Sequence, residues 1–185
     1  ALAGLRGSIA RAVRSPHASF VVEKAIHVSG RAAAESVATE LSGHGLAAAF
    51  SSGGSCVVRT LLEHAAGQPW VVSLTDEILA EDLATLCCHK AGHRVAEAVL
   101  SNGLARQRAA VVAGLRGDLM RFAKHRFGAA VLQQALLQGV PRECHSLARE
   151  VMAPAGAVAA LGCHCFGVHV VRALLQVPGA SEIAL

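Results

Sequence analysis

The residues best suited to chemistry in this chain are thiols and imidazoles. Six Cys and ten His occur in 185 residues. They are densest in two places: Cys87, Cys88, His89 and His93, then Cys163, His164, Cys165 and His169. Both groups contain the ligand types that hold zinc, yet neighbouring residues on a short helix point in different directions and do not converge on a tetrahedron. His89, His125 and His164 also share one position of a repeated pattern, and no Cys accompanies His125. Their expected role is packing or hydrogen bonding at a turn between helices, with no metal. Nucleophilic catalysis needs a base beside the nucleophile and a third group to orient it, and nothing in the sequence places one. No phosphate-cradling G-x-x-x-x-G-K-[ST] loop or dinucleotide-binding glycine pattern is present. The expectation is therefore a protein that is not an enzyme and holds no cofactor. Its cysteines, Cys56 and Cys144 included, have no disulfide-scaffold spacing and read as reduced thiols of an intracellular protein.

The elements that carry these residues repeat. The segment beginning at Gly4 aligns with that beginning at Gly114 without a gap, an offset of 110 residues. Arg11 falls on Arg121, Val21 on Val131, Glu23 on Gln133 and Ala25 on Ala135. Three further copies share the same centre, beginning at Ser51, His89 and His164. The common valine is Val21, Val57, Val95, Val131 and Val170, at spacings of 36, 38, 36 and 39 residues. A period of that length marks a helical solenoid. Each copy holds a short apolar run and a turn at a small residue (Ala18, Gly54, Gly92, Gly128, Gly167). A middle helix follows with Val, Ala and Leu at i, i+3 and i+4. Gly30, Gly103 and Pro141 open a third, more polar helix. The chain is 53% hydrophobic but only 3% aromatic, and its Ala and Leu favour helix. One unit buries too little surface alone, so stacking must supply the core. The predicted fold class is all-α: a curved, right-handed α-solenoid of about five three-helix repeats. One array runs over 1–185, with repeats near 5–42, 43–80, 81–116, 117–153 and 154–185, the last cut short. The uncharged run from Val151 to Val171 is long enough to span a bilayer. Pro154, Gly156, Gly162, His164, Gly167 and His169 break it into two short helices, so no membrane span is expected.

The net charge of +4 is unevenly spread. First and middle helices together carry ten Lys/Arg and five acids, a net +5, and the rest carries −1. A basic inner row fits a surface that faces phosphates.

The repeated core, roughly [His]-x-[Phe]-Gly-x-x-Val-[Val/Leu]-[Gln/Glu/Arg], resembles the middle helix of the Pumilio-type (PUF) repeat, which reads G-x-x-V-x-[Q/E/R]. The resemblance covers nearly all of residues 5–177. It implies that each middle helix offers three side chains to one base of single-stranded RNA, two to the Watson–Crick edge and one to stack. Carried over, the edge pairs are Ser19 with Glu23, Ser55 with Arg59, His93 with Glu97, Ala129 with Gln133, and Val168 with Arg172. The stackers are Phe20, Cys56, Arg94, Ala130 and His169. Residues four apart share a helix face, so each pair can converge on one base. Glu accepts from the N1–H and N2–H₂ of guanine, Arg donates to O2 and N3 of cytosine, and Gln does either. By the family's code Ser19/Glu23 resembles a guanine reader, Ser55/Arg59 a cytosine reader and Ala129/Gln133 an adenine reader. His93/Glu97 and Val168/Arg172 match no common pair. Binding antiparallel, such a chain would read 5′-N-A-N-C-G-3′. Stackers are normally aromatic or Arg, and Cys56 and Ala130 depart from that. The family's usual domain has eight repeats, and about five are here.

What the resemblance implies is an intracellular monomer, cytoplasmic or nuclear and nucleolar, binding mRNA 3′ UTRs through its concave face in translation or stability control. Its convex face is then open to a protein partner. Two alternatives accompany this reading: a nucleolar PUF-like factor in ribosomal RNA processing, and an armadillo-like or HEAT-like protein scaffold.

Overall fold

The computed structural model describes residues 7–80 and 82–178, and the regular structure of these residues is entirely helical. The first group is Ile9–Ala12 (α1) and Pro16–Leu41 (α2). Gly45–Phe50 (α3), Ser52–Ala65 (α4) and Pro69–Leu79 (α5) follow. Then come Leu83–Cys88 (α6), Gly92–Asn102 (α7) and Ala105–Arg116 (α8). The next three are Leu119–Lys124 (α9), Gly128–Gln138 (α10) and Pro141–Met152 (α11). Ala157–Gly162 (α12) and Gly167–Leu174 (α13) complete the set. The uncharged run is thus divided between α12 and α13, and no helix among the described residues is long and apolar enough to cross a membrane.

Local chemistry explains most of the boundaries. Proline opens α2, α5 and α11 at the first position, where its missing N–H costs nothing. Gly30 divides α2 as the sequence leads one to expect: at φ 58° and ψ −136°, a non-helical conformation open to glycine alone, it breaks the span into two helices across a kink. The segment before the kink serves as a middle helix and the segment after it as a third helix.

The first helices are capped in two ways. Glu40 accepts from the N–H groups of Gly7 (2.8 Å) and Ile9 (3.3 Å), and Glu77 accepts from those of Gly43 and Gly45 (both 2.8 Å). These carboxylates reach back from the third helix to the start of the first. Gly114 and Glu150 hold the corresponding positions further on; Glu150 pairs with Arg116 instead, and the caps of α6 and α9 are local. Asp82 accepts from Ala84 N–H at 2.9 Å, and Asp118 from Arg121 N–H at 3.1 Å. The middle helices have a cap of their own. Ala91 and Gly92 donate to Nδ1 of His89 (3.1 and 3.2 Å), Phe127 and Gly128 to Nδ1 of His125 (both 3.2 Å), and Phe166 and Gly167 to Nδ1 of His164 (3.3 and 3.4 Å). In α4 the hydroxyl of Ser51 takes this role, accepting from Gly54 N–H at 2.9 Å. The repeated histidines therefore satisfy helix-start donors that would otherwise lack partners.

The core is one continuous cluster running through every repeat. Val57, Val95, Val131 and Val170 are fully buried. Val21, at the same repeat position, is 48% exposed, and its neighbour Val22 is buried instead. Nothing among the described residues stacks on that outer side of α2. The middle helices pack on one another at every junction, from α2 through α4, α7 and α10 to α13. The third helices meet more thinly, α8 and α11 through the pairing of Arg116 with Glu150 at 3.1 Å. Tighter packing along the middle row than along the third row bends the array, with the middle-helix face on the inside.

Candidate functional site

The inner face is built from the first three turns of each middle helix. The structure divides the expected edge pairs by position. Residues directly after the turn are covered: Ser19, Ser55 and Ala129 are buried, Ser19 against Gly53 of the next middle helix, and Val168 is half-buried. The Ser55 hydroxyl donates to the carbonyl of Ser52 at 2.9 Å. His93 is half-buried, its Nδ1–H donates to the carbonyl of His89 at 3.0 Å, and its ring stacks on Phe127 at 4.7 Å. The residue four further on is reachable in every repeat: Glu23, Arg59, Glu97 and Gln133 are half-buried and Arg172 is exposed. Access to a ligand along this face therefore rests on the second member of each pair.

The stacking positions are uneven. Phe20 is 58% exposed, with the Lys24 ammonium 5.6 Å from its ring centre. Arg94 and His169 are exposed, while Cys56 and Ala130 are small and half-buried. The exposed rings and guanidinium can carry a flat partner; the two small residues leave gaps between them.

Between the second and fourth repeats the face deepens into a recess of about 520 Å³. It unites Arg59, His93, Arg94 and Glu97 from two of the expected sets, and adds Glu63 and Gln134. The last two were not singled out from the sequence. The signal was there in part: Glu63 stands four residues after Arg59, and the two form an ion pair at 3.3 Å. Gln134 donates to the Ser101 hydroxyl at 2.8 Å, across the junction. Burial raises the Glu97 carboxyl above its ordinary range, while the charges of His93, Arg94 and Arg59 pull it partway back. The recess thus holds a proton-sensitive acid among cations.

The cysteines do not assemble. Cys163 and Cys165 are exposed, Cys87 and Cys144 are buried, and burial pushes the Cys87 thiol up to about 12. No group of three His, Cys, Asp or Glu side chains that could hold a metal comes together among the described residues.

No family model matches the chain, and no curated protein sequence matches it. Solved structures do. The Puf3 RNA-binding domain bound to the Cox17 RNA 3′ UTR recognition sequence site A superposes with a TM-score of 0.89 at 17% identity, over 100% of this chain and 53% of that one. PUF-8 in complex with PBE-RNA gives 0.89 at 14% identity, over 99% and 53%. The RNA-binding domain of yeast Puf5p bound to SMX2 RNA gives 0.81 at 13%, over 97% and 51%. The chain spans little more than half the length of these structures. The likeness establishes the fold, an all-α solenoid of PUF-type repeats.

Proposed function

We propose that this chain binds single-stranded RNA along its inner face and selects bases through the row Glu23, Arg59, Glu97, Gln133 and Arg172, in post-transcriptional control of mRNA. One observation carries the reading. Five middle helices in phase each present a reachable hydrogen-bonding side chain at the same position, in the fold whose solved examples include domains bound to RNA. Glu23 has acceptors for guanine, Arg59 donors for cytosine, and Gln133 both kinds for adenine. Arg59 must exchange its Glu63 partner for a base. Stacking on Phe20, Arg94 and His169 adds about 1–3 kcal/mol per base. The gaps at Cys56 and Ala130 withhold it, which favours modest selectivity and keeps ribosomal RNA processing as the second reading.

The test is fluorescence anisotropy with 5′-NANCG-3′ and a random pool at two salt concentrations. Preferred, salt-weakened binding to the oligomer, reduced roughly tenfold or more by Glu23→Ala with Arg59→Ala, supports base selection. Equal binding to both RNAs removes the code. Salt-insensitive capture of a peptide, with no RNA bound, replaces the reading with a protein scaffold.

A further inference from the structure

The position just before the turn residue is filled differently at each repeat junction. In α10 and α13 it is Phe127 and Phe166, and in α7 it is Ala91. The backbone is the same at all three, with φ/ψ near −100/−43, −96/−38 and −97/−32°. Phe127 fills its junction by stacking on His93. At the junction of α2 and α4 the position is Gly53, and the helices close the space themselves. A Cβ there would lie 2.5 Å from Ser19 Cβ and 2.5 Å from the Val13 carbonyl oxygen. The junction of α4 and α7 is closed in neither way. Ala91 faces Ser55, and a recess of about 260 Å³ remains, opening on Phe50, Ser52, Ser55, His89, Lys90 and Arg94.

The walls of this recess have one chemistry. Phe50 offers an aromatic face, held edge-on to His89 at 4.6 Å. His89 spends Nδ1 as the acceptor of the helix cap, so its ring proton is on Nε2, a donor. Lys90 and Arg94 are exposed and form no ion pair among the described residues, and no carboxylate lines the space. An absent ring is thus bordered by a ring, two unpaired cations and hydroxyls. We infer that the recess left by Ala91 seats one nucleotide, its flat base where Phe127 sits one repeat later and its phosphate on Lys90 and Arg94. Lys–phosphate and Arg–phosphate bonds are charge-assisted and strong, and a base stacks on any aromatic face. The inference rests on the RNA-binding reading for one source, an extra nucleotide of a bound strand; the other source is a free mononucleotide. Arg94 borders both the recess and the inner face, so a strand can reach the seat from the groove.

Calorimetric titration of the whole chain with AMP, adenosine and inorganic phosphate tests the seat directly. AMP should bind one to one and more tightly than adenosine or phosphate. Lys90→Gln should weaken it roughly tenfold, and Ala91→Phe should abolish it. In parallel, anisotropy compares 5′-NANCG-3′ with 5′-NANNCG-3′, which carries one extra nucleotide between the bases facing α7 and α4. The wild type should bind both alike, and Ala91→Phe should reject only the longer one. AMP binding with no RNA binding keeps the seat, assigns it to free mononucleotides and defeats the groove reading. RNA binding in which neither variant alters AMP affinity or tolerance of the extra nucleotide overturns the seat and leaves the groove reading intact. If Ala91→Phe does not fold, Lys90→Gln alone decides, since its side chain is exposed.

Discussion

The histidine caps allow a sharp test at His125. Its Nδ1 accepts the N–H groups of Phe127 and Gly128, each at 3.2 Å, at the start of α10. Losing a helix cap costs about 0.5–2 kcal/mol, and two part-buried donors are affected, so His125→Ala should cost about 1–2 kcal/mol. In a chain of this length each kcal/mol lowers Tm by about 2–4 °C, an expected fall of about 2–8 °C. The ring also packs against Phe127 at 5.9 Å, and its removal would destabilise the protein by a separate route. His125→Ser separates the two. It removes the ring but restores an oxygen acceptor, as Ser51 provides for α4. His125→Ser should therefore recover much of the loss, and exchange of the Gly128 amide, accelerated about 5–30-fold in His125→Ala, should slow again. If the two variants are equally destabilised, the ring and not the cap is what α10 needs, and the assigned role of all three histidines fails.

Gly53→Ala should cost about 1–3 kcal/mol by urea unfolding, because a methyl there meets Ser19 and the Val13 carbonyl at 2.5 Å. Glu97 gives a pH signature. Burial raises its carboxyl in the folded chain, so the unfolded chain ionises first and stability falls as pH rises from the ordinary value of 4.5 through the raised one. Glu97→Gln should be more stable than wild type at pH 7, with the advantage vanishing below pH 4.5; a constant difference across pH would refute the burial account. With a thiol reagent under native conditions, Cys163 and Cys165 should react first and Cys87 only on unfolding, since it is buried with its thiol held near 12; early labelling of Cys87 would show that its cover opens.

The period of the shared valine and the turn glycines made the solenoid legible, because each repeat must bury the same face against the next. Position within the stack was less legible. Val21 matches Val57 in sequence yet is exposed, since a repeat pattern does not say whether a neighbour is present. Gly30 reads as a helix boundary and is one, and only the backbone shows how sharply its positive φ turns the chain between the two helices of α2. On the inner face, helical spacing puts Glu23, Arg59, Glu97, Gln133 and Arg172 at one repeat position, and each of them is half-buried or exposed. It could not show that Ser19, Ser55 and Ala129, one turn earlier, are buried, because the cover comes from elsewhere in the chain, for Ser19 from Gly53 of the next middle helix. The capping histidines were visible as a repeated residue type, and their hydrogen-bond partners were not.

The two kinds of first-helix cap set an order of events. Glu40 and Glu77 bridge 31 to 34 residues, so α1 and α3 gain their caps only after α2 and α5 have formed and come back to meet them. Asp82 and Asp118 act across two or three residues, so α6 and α9 are capped as soon as they coil. Closing the longer loops carries the greater entropic cost, and a repeat array propagates structure from wherever it first forms. Folding should therefore begin around α6 to α10 and spread toward α1. Pulse-labelled exchange should find the amides of α7 and α10 protected before those of α4, and Asp118→Ala should slow folding more than Glu40→Ala does.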